Sequence, residues 1–314
     1  MTRFERLGRR RLLRATLAGA CGLALGRPSL AQTSPVSFSK TALADDLAVI
    51  GGAGAHVIVL SRPDALLLVD GGLAERSAAL LDYLAAEWPG RRVEALFNTN
   101  WGWEHTGSNQ ALRRAGAKII AHENTKLWLG NDFTIDWQND RVHSPCPADA
   151  LPTDTFYSGK RELTFGTVPV EYGYFAQAHT DGDLYVFFPQ HDVLVASDLL
   201  SVGEYPVVDY VTGGWLGGMA NAAKGLLEIA GPATRIVPAA GPVQNRAALA
   251  KYQQMCAALK DRLGGMIKSG MSLQEVIAAA PTGDYDGDWG DPHLFLKLAY
   301  KGLWGHVREL GGVL

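Results

Sequence analysis

The sequence predicts a mixed α/β fold that continues into a C-terminal helical extension. Three observations predict it. Short apolar runs alternate with helical patterns through the first half. Four loops, three of which carry His or Asp, sit at the ends of strand-like runs. After Gly241-Pro242 the pattern turns mostly helical.

The elements follow in order. Ala55–Leu60 and Ala65–Val69 flank the turn Ser61-Arg62-Pro63-Asp64 and read as a hairpin that ends at Gly71-Gly72. Ser77 to Trp88 has helical spacing and stops at Pro89-Gly90. Val93–Asn98 and Lys118–His122 read as strands, with a short helix over Asn109–Ala115 between them. Residues 124–160 have mixed polarity and no steady period, so a long excursion over the surface is expected there, with a wall of the pocket as a candidate role. Strand patterns return at Glu162–Phe165, Val168–Tyr174, Leu184–Phe188, Val193–Ala196 and Arg235–Val237. Helices are expected over Met219–Ile229, Asn245–Leu263, Leu273–Ala280 and His293–Glu309.

The first 31 residues stand apart. Arg9-Arg10-Arg11-Leu12-Leu13-Arg14 precedes the apolar run Ala15–Gly26, and Ser29-Leu30-Ala31 supplies small residues before Gln32. Basic, apolar and small-residue segments in that order form a signal peptide, and the arginines resemble a twin-arginine signal. The expected mature chain is periplasmic or secreted. It is read as one domain over residues 32–250 with a helical extension over 251–314.

Of 29 basic and 32 acidic residues, seven Arg and one Glu lie in the first 31, so the mature chain has 22 and 31 and a net charge of −9. Such a surface repels nucleic acid and anionic lipid. No segment of the mature chain is long and apolar enough to span a membrane as a helix. A small molecule is the expected partner, and the sequence leaves the oligomeric state open. Cys146 and Cys256 lack metal-site spacing and are read as unpaired thiols, although the sequence alone leaves a pairing open.

Four loops carry the chemistry. The first is Asn98-Thr99-Asn100-Trp101-Gly102-Trp103-Glu104-His105-Thr106-Gly107, between a strand and a helix. The second is Ala178-His179-Thr180-Asp181-Gly182-Asp183, just before a strand. Asp198 ends the strand Val193–Ala196, and Pro238-Ala239-Ala240-Gly241-Pro242 follows another. No Gly-x-Ser-x-Gly elbow, phosphate-binding loop or dinucleotide fingerprint competes with them.

These loops, over roughly residues 40–250, resemble those of the metallo-β-lactamase superfamily. There the first loop reads Thr-His-x-His-x-Asp-His-x-Gly, and the next three supply a His, a bridging Asp and a last His. The resemblance implies an αββα four-layer sandwich with a groove at one sheet edge that holds up to two zinc ions. It also implies that Asp70, in Leu66-Leu67-Leu68-Val69-Asp70-Gly71-Gly72, braces the site. Carried over residue by residue, only His105, His179 and Asp198 are intact, with Glu104 in place of Asp. Asn100, Gly102 and Ala240 stand at vacated His positions.

By this reading the three-His metal site is gone. Glu104, His105 and Asp198, with His179 assisting, would hold one Zn²⁺, Mn²⁺ or Fe²⁺, because metal sites normally take at least three protein ligands. A metal-free hydrogen-bonded network of the same residues is the alternative. Trp101 and Trp103 flank the small Gly102, and space between two indoles would make a ligand pocket. Two functions follow. One is a hydrolase of an ester, amide or lactam with at most one metal ion. The other is a non-catalytic relative that binds a small molecule or protein partner in the groove.

Overall fold

The computed structural model describes residues 37–309. The expected signal peptide lies outside them. The strands, in chain order, are β1 (Ser39–Ala42), β2 (Leu47–Gly51), β3 (Val57–Ser61), β4 (Ala65–Val69), β5 (Arg92–Phe97), β6 (Lys118–His122), β7 (Phe133–Ile135), β8 (Arg141–His143) and β9 (Asp154–Phe156). They are followed by β10 (Lys160–Phe165), β11 (Val168–Tyr174), β12 (Leu184–Phe188), β13 (Val193–Ser197) and β14 (Arg235–Pro238). The helices are α1 (Ser77–Glu87), α2 (Trp103–Thr106), α3 (Asn109–Arg114), α4 (Glu123–Leu129), α5 (Leu216–Ile229), α6 (Arg246–Lys268), α7 (Leu273–Ala278), α8 (Asp286–Trp289) and α9 (His293–Glu309).

Two sheets carry the fold. One has the order β1-β2-β3-β4-β5-β6-β9 and the other β10-β11-β12-β13-β14. Antiparallel hairpins build the outer parts, while β4-β5-β6-β9 and β13-β14 pair in parallel. Successive strand residues point to opposite faces, and the apolar strands use both. Ile58, Leu60, Leu67 and Val69 meet Val170, Leu184, Val186 and Val195 between the sheets. Val57, Val59, Leu66 and Leu68 face outward onto Leu80, Leu84 and Leu112 of α1 and α3. On the far side, Leu194 and Ile236 pack under α5, α6 and α9 through Met219, Leu249, Leu259 and Phe295. The layers are therefore helix, sheet, sheet and helix, the expected αββα sandwich. The C-terminal helices complete its outer layer, and α6 runs without a break through the expected boundary at 250/251.

The stretch expected as a surface excursion without a steady period holds more regular structure than its pattern shows. It holds α4, the β7–β8 hairpin and β9, which joins the larger sheet beside β6. A three-residue strand is too short to show a period. Among the described residues no helix is long and apolar enough to cross a membrane. Cys146 and Cys256 are both unpaired among the described residues, and burial pushes the Cys256 thiol up to about 12.

Candidate functional site

The site forms where chain leaves the ends of β4, β5 and β13 and where the β11–β12 loop crosses from the second sheet. Leu184 N–H donates to the Thr99 carbonyl at 2.7 Å and ties the two sheets together there. Asp70 follows β4 with a left-handed backbone, φ 65°. Ser197, at the end of β13, is also left-handed at φ 49°. Two such non-glycine residues at one site are conformations held by their surroundings.

Asp70 is the hub and is 1% exposed. The Thr99 N–H donates to its Oδ1 at 2.9 Å, and the Thr99 hydroxyl lies within 3.0 Å of both carboxylate oxygens. The Ser197 hydroxyl lies 3.3 Å from Oδ2, and His105 Nδ1 lies 2.9 Å from it. Asp70 thus contacts Nδ1 of a fully buried histidine.

On its other side, His105 Nε2 lies 2.7 Å from Asp198 Oδ2, close but not aligned as a hydrogen bond. His179 Nε2 stands 3.8 Å from the same oxygen, while its Nδ1 lies 2.9 Å from the Val207 carbonyl. Asn100 Nδ2 donates to Asp198 Oδ2 at 2.7 Å. The amide orientation is fixed from behind, because Gly102 N–H donates to Asn100 Oδ1 at 2.7 Å. The oxygen of Asn100 is thus turned away from Asp198, and a donor faces it.

Charge follows geometry. Burial alone would lower the His105 pKa, but Asp70 and then Asp198 raise it well above the usual histidine range. Burial likewise opposes protonation of His179, and Asp198 and Asp183 outweigh it. Burial would raise the Asp198 carboxyl, yet His105, His179 and Asn100 hold it well below the usual carboxylate range. The core of the site is an alternating chain of carboxylate and imidazole: Asp70, His105, Asp198, His179.

Of the four residues expected as metal ligands, the structure brings His105, His179 and Asp198 together. Glu104 differs. It precedes His105 on α2, and consecutive helical residues point about 100° apart, so His105 turns inward and Glu104 lines the cavity instead. Its carboxylate makes no hydrogen bond or ion pair among the described residues. Among the described residues no three His, Cys, Asp or Glu side chains are gathered to hold a metal ion. With an amide N–H on Asp198 as well, this donor set does not fit the family's pair of metals as it is arranged.

The vacated positions differ from one another. Gly102 has φ −47°, so no left-handed backbone requires glycine there. The requirement is close approach: a Cβ would lie 2.9 Å from both Asn100 Oδ1 and His105 Cδ2. Ala240 is exposed on the turn after β14.

A cavity of about 190 Å³ opens over Asp198 and His179. Trp101, Trp103, Trp137, Val207 and Asp209 form walls. Trp101 and Trp103 meet edge to face with ring centroids 5.2 Å apart, so the space lies beside the indoles and not between them. Trp137 lies in the 124–160 stretch, read as an excursion or a pocket wall, though the residue itself carries no signal; Asp209 follows an ordinary apolar pair and was not legible. Thr99 and Ser197 were also missed, since neither carries a metal-ligand signature.

Known proteins share this architecture. VMB-1 is similar at 15% identity and TM-score 0.56, over 71% of this chain and 98% of that one. A metallo-β-lactamase from Pontibacter korlensis is similar at 18% identity and TM-score 0.54, over 69% and 99%. The stereoselective inverting sec-alkylsulfatase Pisa1 from Pseudomonas sp. is similar at 17% identity and TM-score 0.69, over 87% of this chain but only half of that one. At such identities these likenesses speak for the fold alone. No curated protein sequence matches the chain. Residues 50–241, well over half of the sequence, match the family model described as the metallo-beta-lactamase superfamily. With its two-sheet sandwich and its site loops at the strand ends, the chain belongs to the metallo-β-lactamase superfamily.

Proposed function

We propose that this protein is an exported, metallo-hydrolase-like member of the superfamily that binds a small molecule in its groove and carries at most one metal ion. Within that reading, binding without hydrolysis is the function the geometry supports best. One observation carries it. Asp198, the residue that would bridge two metals, is instead engaged by Asn100 Nδ2 and His105 Nε2, each at 2.7 Å, under an indole-walled cavity. Aromatic walls with a few fixed polar groups suit small ligands.

Export is supported by the order of basic, apolar and small residues before Gln32. A one-metal hydrolase of an ester, amide or lactam is the second reading. Its support is His105 Nε2, a buried ring nitrogen with no aligned hydrogen-bond partner.

The test is a thermal-shift screen of small molecules of varied charge against the mature protein and Trp137→Ala. The expected result is at least one compound that raises the melting temperature of the wild type and not of the variant, since a ligand bound only by the folded state stabilises it. Failure of every compound, or shifts of equal size in the variant, would count against the groove as a binding site.

A further inference from the structure

The wall of the groove has a polarity that the Asp70–His105–Asp198–His179 chain does not account for. Asp209 lines the cavity and is 1% exposed. Its Oδ2 accepts from Trp101 Nε1 at 3.2 Å and from the Thr212 hydroxyl at 2.6 Å. Its Oδ1 is buried and has no hydrogen-bond partner. A buried carboxylate oxygen left unmatched costs stability, which is reasonable where a ligand completes it. Trp137, on the same wall, has a buried Nε1–H without a partner. Among the described residues, these two wall residues therefore hold one unmatched acceptor and one unmatched donor.

The charges are asymmetric. Three carboxylates line the cavity, those of Glu104, Asp198 and Asp209, against one histidine, His179. His105 lies behind Asp198, between it and Asp70. Arg141 is held on Trp103 with its guanidinium carbon 3.4 Å from the ring centroid. That contact shows that an indole of this wall already takes a cation. Indole faces attract organic cations, and Trp101, Trp103 and Trp137 all line this cavity.

We infer that the groove is selective for a small primary ammonium compound that also carries an acceptor oxygen. The ammonium sits against the indoles, donates to Asp209 Oδ1 and is favoured by Glu104. The acceptor oxygen takes the Trp137 Nε1–H. A cavity of about 190 Å³ holds a short chain of this kind and not a drug-sized ligand. This inference rests on the reading of the groove as a small-molecule site and names its ligand class.

The test compares three probes of one chain length by quenching of tryptophan fluorescence in the full purified protein. Aminopentanol carries an ammonium and a hydroxyl, pentanediol replaces the ammonium with a hydroxyl, and hydroxypentanoate is an anion. Aminopentanol is expected to bind about tenfold tighter than pentanediol. Asp209→Asn keeps an oxygen for Trp101 and Thr212 and turns the free acceptor into a donor. It is expected to remove that preference, and Glu104→Gln, at a side chain with no partner among the described residues, to reduce it. If Asp209→Asn does not fold, the Glu104→Gln comparison decides alone. Equal binding of aminopentanol and pentanediol, or preference for hydroxypentanoate, would overturn the ammonium assignment and leave the groove reading standing. Binding of none of the three while other compounds give Trp137-dependent thermal shifts would overturn it too. Absence of any such shift as well would remove both.

Discussion

Asp70→Asn is the sharpest perturbation of the site, because it changes one charge and almost no shape. Asparagine tolerates the left-handed backbone that Asp70 adopts at φ 65°, so strain is not the source of the effect. Its oxygen can still accept from Thr99, but its NH₂ then faces His105 Nδ1, 2.9 Å from the oxygen it replaces. A protonated His105 loses a charge-assisted hydrogen bond and meets a donor. Removing one partner of a buried ion pair costs about 3–5 kcal/mol. For a domain of this size that is roughly a 10 °C fall in melting temperature.

The pH dependence gives a second signature of the same change. The folded-state pKa of His105 is raised, with Asp70 the foremost charge that raises it against burial. The stabilisation is therefore full below the ordinary histidine value of about 6.5 and is lost as pH rises through the raised folded value. Once His105 is neutral, its Nδ1 can accept from the new amide. The gap between wild type and Asp70→Asn in urea unfolding should be widest near pH 6 and narrow toward alkaline pH. A gap below about 1 kcal/mol at pH 6, or one that does not change with pH, would refute the ion-pair chain.

Other outcomes follow from the same geometry. Restoring Asn100→His, Glu104→Asp and Ala240→His with Gly102→His should destabilise the protein by about 1–3 kcal/mol relative to the triple variant lacking the Gly102 change, because a Cβ there meets Asn100 or its replacement and His105; unfolding in urea measures it, and equal stability would show that the loop opens. N-terminal sequencing of native protein should find the mature chain beginning near Gln32, and retention of Met1 in soluble cytoplasmic protein would contradict export. Hydrolysis of β-lactams and simple esters should run ~100-fold or more below that of intact family members, because lost ligands remove the Lewis acid and the activated water; fast turnover abolished by a chelator would favour the one-metal hydrolase.

Much of the fold was legible because its strands are buried on both sides and its turns carry strong signals. Ala65–Val69 and the Pro89-Gly90 stop after α1 are examples. The loops were legible through Asp70, His105, His179 and Asp198, whose types and spacing survive. What those loops do to one another was not. Whether Asn100 presents oxygen or nitrogen to Asp198 depends on the Gly102 N–H, a backbone group with no sequence signature. The separation of Glu104 from His105 depends on the chain already being helical at α2. Asp209 and Trp137 reach the groove from the segment after Val207–Val208 and from the stretch before the β8 strand, and only the tertiary fold joins them.

The most direct test is the metal content of protein purified without chelator, measured by mass spectrometry together with its melting temperature before and after dialysis against a chelator. Bound transition metal should not exceed one ion per chain, and a melting temperature that does not move on dialysis marks a site held by protein groups alone. Two ions per chain at high occupancy, with a clear loss of thermal stability on their removal, would show that the loops still hold the family's pair of metals and contradict the central claim.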